Sequence, residues 1–425
     1  MKRFSGKLVL AAALVAAVLS LPFWMPALQS AAAEPVMAAD VDANPFSPGS
    51  TFYLFDSGYF TGESLQTVHN APQVVTWVGG DDAEWTTETG FIMGSLVDAE
   101  GGRILVTEQR NTTVDSLQGL SYPADSTYPP SETWPVYLTV LDTETGEVLS
   151  RERVPDLSVG PTGYYLHPVG VDGDVVYLSN YDTIRNLHSY NLSTKTVGEQ
   201  YWDICERGYI MDSLLLTEPT RVAALCDQGL TITDMTTGEQ HSVKIPQLGS
   251  LEYETGNGMF VANDQLYVVD SNGGVMLTVD SETLQLSKII DYRASIEEAK
   301  SNIIDQVFTW LGEQIVGSAQ AKRWMAITSV SADERWLAID GGMLSPVGIR
   351  EILVVDLHGE DATRSFELDG SPSRMAFGDD GNLLVVFEGS GSLTSAVLLH
   401  VDSGETMTVN LPFNGWLQNL IAARN

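Results

Sequence analysis

The feature that most constrains this chain is a hairpin that returns about every 40–50 residues. In each copy an apolar strand ends at a polar residue, a short turn follows, and a second strand returns. Asp and Asn favour this position because their side chains bond to the backbone two or three residues further on. Six copies are anchored at Asp142, Asn191, Asp234, Asp280, Asp356 and Asp402. The steps between anchors are 49, 43, 46, 76 and 46 residues, and four of the five match one four-stranded propeller blade.

A second tight turn precedes each of these hairpins and again separates two β-branched or aromatic strands. Its six copies fall at residues 98–102, 172–174, 217–219, 262–264, 331–334 and 378–382. Two hairpins in one repeat make four strands, which is the unit of a propeller blade. The sequence therefore contains six complete blades.

A seventh blade is split between the two ends of the chain. Residues 51–55 and 65–68 resemble the later half of a blade, and residues 416–422 could supply the missing strand. Joining the ends closes the ring and leaves no unpaired sheet edge. A two-sheet sandwich would need one core for roughly 28 strands, which is implausible. We predict an all-β, seven-bladed β-propeller over residues 51–425, closed by pairing of the N- and C-terminal strands, with six or eight blades as the alternatives.

Two segments interrupt the repeat. Residues 107–135 are polar and rich in Tyr, Ser and Pro, and they predict a long loop between strands of the first complete blade. Residues 294–322 account for the 76-residue step, and their apolar residues recur at helical spacing. Ser295 can cap this helix, with Glu298 at the capping-box position. The sequence thus predicts one helical insertion in an all-β protein.

The predicted helix is apolar on more than one face. Adjacent apolar pairs at 303–304, 307–308 and 310–311, which include Ile304, Phe308 and Leu311, extend over more than the one face that a packed helix needs. The simpler interpretation is a lid packed on the blade rim. The other is contact with a second protein or a second copy of the chain, because soluble monomers seldom leave large apolar patches open.

The N-terminus has the pattern of a secretory signal. Residues 1–33 hold a basic start, an apolar run of about 14 residues and small residues at a cleavage position. An uncleaved membrane anchor is the alternative, but the run is shorter than the roughly 20 residues that span a bilayer. Residues 34–50 predict a flexible lead-in. We expect a secreted protein, periplasmic or extracellular, with no membrane association after cleavage.

Two properties of the composition limit partners and crosslinks. The net charge of −34 disfavours binding to nucleic acid and to anionic lipid, which both select basic surfaces. The only cysteines are Cys205 and Cys226, 21 residues apart around a predicted turn. In an oxidising compartment an even pair of this kind favours a disulfide, with two unpaired buried thiols as the alternative.

No pattern in the chain predicts catalysis, a cofactor or a metal. The six histidines are scattered, and neither a nucleophile elbow nor a phosphate-binding loop is present. The acidic residues at 40–44 open like a calcium loop, but Pro45 and Thr51 occupy positions that need Gly and Glu. The paired acids at 172–174 and 379–380 lie in predicted turns and are best explained as turn formers.

The order of blades and insertions resembles the heavy (β) chain of quinoprotein amine dehydrogenases, the methylamine and aromatic amine dehydrogenase type. The resemblance is carried by residues 96–106, by the Asp-Thr-Glu-Thr-Gly hairpin at 142–146 and by the segment 205–229. It continues through the helical insertion before Lys-Arg-Trp at 322–324 and the run 350–412. It covers most of residues 51–425 as a pattern of insertions.

The resemblance implies a periplasmic scaffold whose tryptophylquinone cofactor belongs to a separate, Cys-rich light chain. It assigns no catalytic residue here, and the length of 107–135 departs from the family pattern. Three hypotheses follow: a non-catalytic propeller that binds a partner or ligand at its funnel or rim, a propeller enzyme of lactonase or hydrolase type, and a genuine amine dehydrogenase heavy chain. We favour the first, a binding scaffold without a cofactor of its own.

Overall fold

The four-strand repeat forms seven antiparallel sheets of four strands each. The computed structural model describes residues 50–423 except 57–58, 62–66, 71, 79–82, 110–135, 155–165, 181–186, 202–203, 206–209, 217–219, 227–228, 246–256, 271–274, 284, 292–327, 341–349, 360–362, 369–371, 388–394 and 413–416. Every regular element in this described part is a strand. Within it, no helix has the length and apolarity that a membrane crossing requires.

The strands are numbered along the chain and grouped into blades. Blade 1 and the hairpin inserted in it use β1 (Phe52–Asp56), β2 (Tyr59–Thr61), β3 (Thr67–Asn70), β4 (Gln73–Trp77) and β5 (Trp85–Glu88). Blade 2 is β6 (Phe91–Asp98), β7 (Arg103–Gln109), β8 (Val136–Asp142) and β9 (Val148–Arg153). Blade 3 is β10 (Leu166–Asp172), β11 (Val175–Asn180), β12 (Leu187–Asn191) and β13 (Thr196–Tyr201). Blade 4 is β14 (Ile210–Leu216), β15 (Arg221–Cys226), β16 (Gly229–Asp234) and β17 (Gln240–Lys244).

The remaining blades follow the same order. Blade 5 is β18 (Asn257–Ala262), β19 (Gln265–Asp270), β20 (Val275–Val279) and β21 (Leu286–Asp291). Blade 6 is β22 (Thr328–Val330), β23 (Trp336–Asp340), β24 (Arg350–Asp356) and β25 (Arg364–Leu368). Blade 7 is β26 (Pro372–Phe377), β27 (Asn382–Phe387), β28 (Ser395–His400) and β29 (Thr406–Val409). The last strand, β30 (Leu417–Ala422), returns to blade 1.

The ring closes where the two ends of the chain pair. Strand β30 lies antiparallel to β1, with Phe52 opposite Ala422, and the order in blade 1 is β30-β1-β4-β5. The first strand of each blade contacts the first strand of the next, in the order β30, β6, β10, β14, β18, β22, β26 and back to β30. These seven are the inner strands. The predicted seven-bladed propeller with N- and C-terminal closure is confirmed.

One strand of the split blade was wrongly predicted. Residues 65–68 do not enter blade 1, because Thr67 and Val68 pair with β2 in the separate hairpin. The blade strand is β4, which pairs with β1. The physical reason lies in burial: Val74, Val75 and Trp77 are all buried, as a strand packed between two neighbouring blades requires.

The hydrophobic core is divided among the blade interfaces. Seven clusters of buried side chains occur, one between each pair of adjacent blades, including blades 7 and 1. Middle strands are therefore covered on both faces, and β27 is buried along its whole length. This double burial explains why such strands read as continuous apolar runs rather than as alternating patterns.

The predicted polar anchors close their turns as expected, with one exception. Asp142 Oδ1 accepts hydrogen bonds from the backbone N–H of Glu144 (3.1 Å) and Thr145 (2.8 Å). The bonds to Thr145 lower the pKa of Asp142 below its usual value, because they favour the carboxylate. In blade 7 the anchor is not Asp402: His400 ends the strand, and its Nδ1 accepts from Ser403 N–H at 3.1 Å. An imidazole nitrogen supplies the same acceptor as a carboxylate.

The inserted segments lie largely outside the described residues. The long loop begins later than predicted, since residues 107–109 belong to β7 and the side chains of Thr107 and Glu108 are buried. Residues 110–135, the predicted helix at 294–322, the signal segment 1–33 and most of the lead-in 34–50 fall outside the described part.

Candidate functional site: the central channel and the loop face

The two ends of the propeller differ in how strands are connected. Adjacent strands of a blade run in opposite directions, so the turns after the first and third strands lie at the same end of the propeller. We call this end the turn face. The connections after the second strand and between blades leave from the opposite end, which we call the loop face. The insertions 110–135 and 292–327 both join strands at the loop face. All long connections of the ring therefore depart from one side.

Turns at the other end satisfy their own backbone groups. The Asx bonds at Asp234 repeat those at Asp142, with Thr236 and Thr237 N–H groups both donating to one carboxylate oxygen. Gly146 has φ 69° and lies against the Trp85 ring, where a side chain would clash. These turns are short and internally bonded, so the turn face has few unpaired groups to offer a partner.

Inner strands line the channel, and five of the seven carry a β-bulge. The pairing register skips one residue in each of them: Met93, Val169, Met211, Ser373 and Gln418. A bulge re-aims the side chains beside it and is enriched near functional sites. Four of the five bulges lie in the half of the strand nearer the loop face, and the fifth, at Val169, lies at the centre of β10. The bulges therefore influence mainly the loop-face end of the channel.

Beside the bulges lies a band of polar, partly buried side chains. We call this band the polar tier; its members are Ser95, His167, Asp212, Arg374 and Asn419. They come from five different inner strands.

Contacts between neighbouring inner strands place these residues at one level. Arg374 Nε donates to the carbonyl of Gln418 (2.8 Å), and Asn419 Nδ2 donates to Ser95 Oγ (2.9 Å). Gly94 is needed beside them, since a Cβ there would lie 2.8 Å from His167 Nδ1. The polar tier thus follows the wall from blade 7 through blades 1 and 2 to blade 3.

Asp212 extends the polar tier into blade 4, and its pKa departs strongly from the usual value of an aspartate. Its Oδ2 accepts from Met259 N–H on the next inner strand (2.6 Å), and its Oδ1 accepts from Ser213 N–H (2.8 Å). Burial raises the pKa of Asp212 to about 7, because these two bonds only partly replace water around the charge. In the described part of the chain its partners are backbone N–H groups, and no cationic side chain faces it.

The pKa values of two histidines in blade 3 shift in the opposite direction. Burial lowers the pKa of His167, in the polar tier, to about 4, and it does the same for His188 on β12. Desolvation disfavours the charged form of both side chains. Both are therefore neutral near pH 7.

The channel contains a cavity of about 290 Å³ toward the turn face, lined by residues 259–261, 328–330, 375–377 and 420–422 of four inner strands. Among the described residues, none of these side chains is charged, and Thr328, Ser329 and strand backbone groups give the lining polar atoms. The cavity adjoins the polar tier, because Met259 bonds to Asp212 and Met375 follows Arg374 in sequence.

A disulfide lies next to the Asp212 bulge. Cys205 and Cys226 are joined with a Cα–Cα separation of 5.6 Å, within the range a disulfide allows. Cys226 is opposite Ile210 in the sheet, and Asp212 follows after the bulge. The bond therefore ties the connection that enters inner strand β14 to the end of β15 at the loop face.

A second buried acid lies in blade 2 and is fully compensated. Glu108 is 0% exposed; its Oε1 accepts from Thr139 Oγ1 (2.7 Å) and pairs with Arg151 Nε (2.9 Å), and its Oε2 accepts from Gly90 N–H. This arrangement meets the requirement that a buried charge be paired and hydrogen-bonded. We assign it a structural role.

Of the predicted disulfide and partner-contact residues, the structure describes only the two cysteines. Ile304, Phe308 and Leu311 lie outside the described part. Sequence reasoning missed the polar tier, although one signal existed: Asp212 interrupts the otherwise apolar strand Ile-Met-Asp-Ser-Leu-Leu-Leu. Within the described ranges, no three His, Cys, Asp or Glu residues are grouped to hold a metal ion.

Comparisons with known proteins show the fold. A candidate 6-phosphogluconolactonase from Bacteroides fragilis superposes with a TM-score of 0.53 and 10% identity, over 88% of this chain and 98% of that one. A second, from Bacteroides uniformis, gives 0.51 and 12%, over 84% and 94%. No family model and no curated protein matches the chain. At these identities the likeness extends to the propeller fold alone, and the amine dehydrogenase resemblance is not confirmed.

Proposed function

We propose that this propeller is an exported binding scaffold that engages a protein partner, or a second copy of itself, through its loop face. The observation that carries the proposal is the division between the two ends of the ring. Short, internally bonded turns occupy one end, and every long connection leaves from the other. Loops on a rigid scaffold are where binding residues concentrate.

Two further features support export and the choice of face. The Cys205–Cys226 pair has disulfide geometry, which suits an oxidising compartment, and residues 1–33 have the pattern of a secretory signal. The predicted helix at 294–322 belongs to a loop-face connection, so its second apolar face is available for a partner at that end. Its contact residues in this proposal are Ile304, Phe308 and Leu311.

The test compares a loop-face variant with a turn-face control. Phe308→Ser/Leu311→Ser removes two apolar side chains from the predicted helix, while Leu149→Ser removes one that is 54% exposed at the turn-face end of β9. Mass in solution reports self-association, and co-purification with exported proteins of the source reports a partner. We expect the double variant to lose assembly with nearly unchanged melting temperature and the control to keep it.

Two outcomes contradict the proposal. If assembly survives in the double variant, or is lost equally in Leu149→Ser, then the loop face is not the interface. A large fall in melting temperature with unchanged mass shows instead that the helix is core.

A second candidate function is hydrolysis of a lactone or similar ester. It is favoured by Asp212, whose pKa of about 7 in a channel suits a general acid or base. The two structural neighbours described above are candidate lactonases, but their likeness extends to the fold alone. Turnover of a lactone panel by the purified protein, lost in Asp212→Asn, supports this candidate; no turnover removes it.

The third candidate, a genuine amine dehydrogenase heavy chain, depends on a separate light chain. With two cysteines, this chain cannot supply the light chain's disulfide framework. A light-chain gene beside this one supports the candidate, and its absence leaves the scaffold or the hydrolase.

A further inference from the structure

The cavity in the channel is lined by the edges of four neighbouring inner strands, β18, β22, β26 and β30. We infer that it binds a small monovalent cation, Na⁺ or K⁺, through backbone carbonyl oxygens. This goes beyond the proposed partner binding and does not depend on it.

Strand alternation turns backbone groups of the lining toward the channel. Met259 N–H leaves its sheet to reach Asp212, so Met259 and Val261, two residues further on, both present N–H and C=O groups at the channel edge of β18. In β22, Ser331 N–H bonds within its hairpin, which leaves the N–H and C=O of Val330 facing outward. The same alternation holds in β26 and β30. Each strand therefore contributes the first and third residues of its lining triplet to the channel wall.

Side chains already occupy several of the donors at this edge. Three channel-facing N–H groups donate to side-chain oxygen atoms: Met259 to Asp212 Oδ2 (2.6 Å), Phe377 to Ser329 Oγ (2.9 Å) and Leu420 to Asn419 Oδ1 (2.9 Å). Among the described residues, no side-chain donor reaches a carbonyl oxygen of the four lining triplets. An uncapped strand edge offers N–H and C=O groups in equal number, so this capping leaves the wall richer in acceptors than in donors.

The charges around the cavity favour a positive ion. Lys, Arg and His are absent from the described residues that line it, and the chain as a whole has a net charge of −34. A strongly negative protein concentrates cations in a cleft with low-dielectric walls. The one cationic member of the polar tier, Arg374, is directed to the carbonyls of Ser373 and Gln418, which precede the lining triplets in their strands.

The available ligand atoms distinguish monovalent from divalent ions. Sites for Ca²⁺ and Mg²⁺ draw on carboxylates, and no Asp or Glu is among the described residues that line the cavity. Neutral carbonyl oxygens are the ligands that replace the hydration shell of K⁺ in channel proteins. At about 30 Å³ for each water, a cavity of about 290 Å³ has room for an ion that keeps several waters of hydration.

Sodium-23 NMR of the purified full-length protein tests for the ion. Na⁺ held at an ordered site relaxes faster than Na⁺ in solution, so the averaged line broadens as the site fills. We expect saturable broadening that K⁺ reverses at constant ionic strength. Tetramethylammonium screens charge equally, but its methyl groups keep carbonyl oxygens away from the charge, so it should leave the broadening in place.

Matched charge variants locate the ion. Val261→Lys adds an ammonium group in the cavity lining, whereas Val148→Lys adds the same charge at a residue 37% exposed on outer strand β9. Val261 is itself 42% exposed, so the longer side chain can extend into the channel rather than into the core. We expect Val261→Lys to weaken sodium binding at least about tenfold, because two unit charges about 4 Å apart repel strongly. Val148→Lys should leave it unchanged.

Melting temperature gives a second readout of the same site. An ion that binds only the folded chain should raise the melting temperature by about 2 °C in NaCl or KCl relative to tetramethylammonium chloride of equal concentration. Because both solutions screen the net charge equally, the difference reports binding alone. We expect it to disappear in Val261→Lys and to persist in Val148→Lys.

The inference fails if tetramethylammonium removes the broadening as completely as K⁺ does, or if the two lysine variants behave alike. Should Val261→Lys fail to fold, the comparison of the two competing cations in the unaltered protein still decides the question. Failure of ion binding leaves the loop-face proposal intact, and loss of assembly in Phe308→Ser/Leu311→Ser does not affect the ion site.

Discussion

At the scale of single residues, burial shifts the pKa values of three titratable groups in neighbouring blades toward favouring their neutral forms. The pKa of Asp212 is raised to about 7, and those of His167 and His188 are lowered to about 4. All three pKa shifts arise from desolvation, but the acid and the histidines affect folding stability with opposite dependence on pH. Asp212 favours folding at low pH, while the histidines favour it at neutral pH.

Replacing Asp212 by Asn should show how much this carboxyl group contributes to the pH dependence of the unfolding free energy. Its folded-state pKa lies above its ordinary value of 3.8, so its stabilising contribution is full below about pH 4 and is lost as pH rises through 7. From about pH 4 to pH 8, the difference in unfolding free energy should move by about 4 kcal/mol in favour of Asp212→Asn. Urea denaturation at several pH values measures it. The histidines are common to both proteins, and a difference that stays flat with pH contradicts the expectation.

Replacing Glu108 should show how much stability is lost when a buried, paired charge is removed. Glu108→Ala leaves the buried Gly90 N–H without its acceptor and Arg151 without its carboxylate partner, so we expect a loss of about 3–5 kcal/mol in unfolding free energy. The control is Glu152→Ala, which removes the exposed pair with Lys195 and should cost less than about 1 kcal/mol. Chemical denaturation compares them, and similar losses in the two variants would argue against a special role for burial.

At the scale of elements, the disulfide fixes the start of inner strand β14. Cys205→Ser/Cys226→Ser should lower the unfolding free energy by about 3 kcal/mol, since the crosslink closes a loop of 21 residues. Thiol titration of the denatured, non-reduced protein checks the bond directly. Two free thiols in that assay would refute it.

Ring closure depends on β30. Removing residues 413–425 takes away the inner strand of blade 1, with buried Leu417 and Leu420, and exposes the edge of β1. We expect loss of cooperative unfolding in a thermal or urea melt, because two interfaces lose their packing. Removal of 424–425 alone is the control. A truncated protein that melts like the full chain would show that closure does not stabilise the ring.

Elements set by local chemistry could be predicted from the sequence, and those set by contacts across blades could not. The turn at Asp142 was predicted because Asx bonding needs only neighbouring residues. His400 was missed because an imidazole acceptor at a strand end has no comparable sequence preference. The polar tier was missed because Arg374 meets Gln418, and Asn419 meets Ser95, only after the ring closes.

At the scale of the whole molecule, the net charge of −34 opposes the folded state. Self-repulsion in a compact chain weakens with salt, because the screening length falls from about 30 Å at 0.01 M to about 8 Å at 0.15 M. We expect the melting temperature to rise by several degrees over this range. Calorimetry in NaCl and KCl measures it, and an unchanged or falling melting temperature would show that paired charges dominate.

The position of β30 also bears on how the protein is made. Among the described strands, β30, which completes blade 1, is synthesised last, while its partner β1 is synthesised first. Until β30 has been synthesised, β1 therefore lacks its partner strand, and the two blade interfaces that flank β30 are incomplete. Blade 1 can therefore be completed only after the strands of the other six blades have been synthesised.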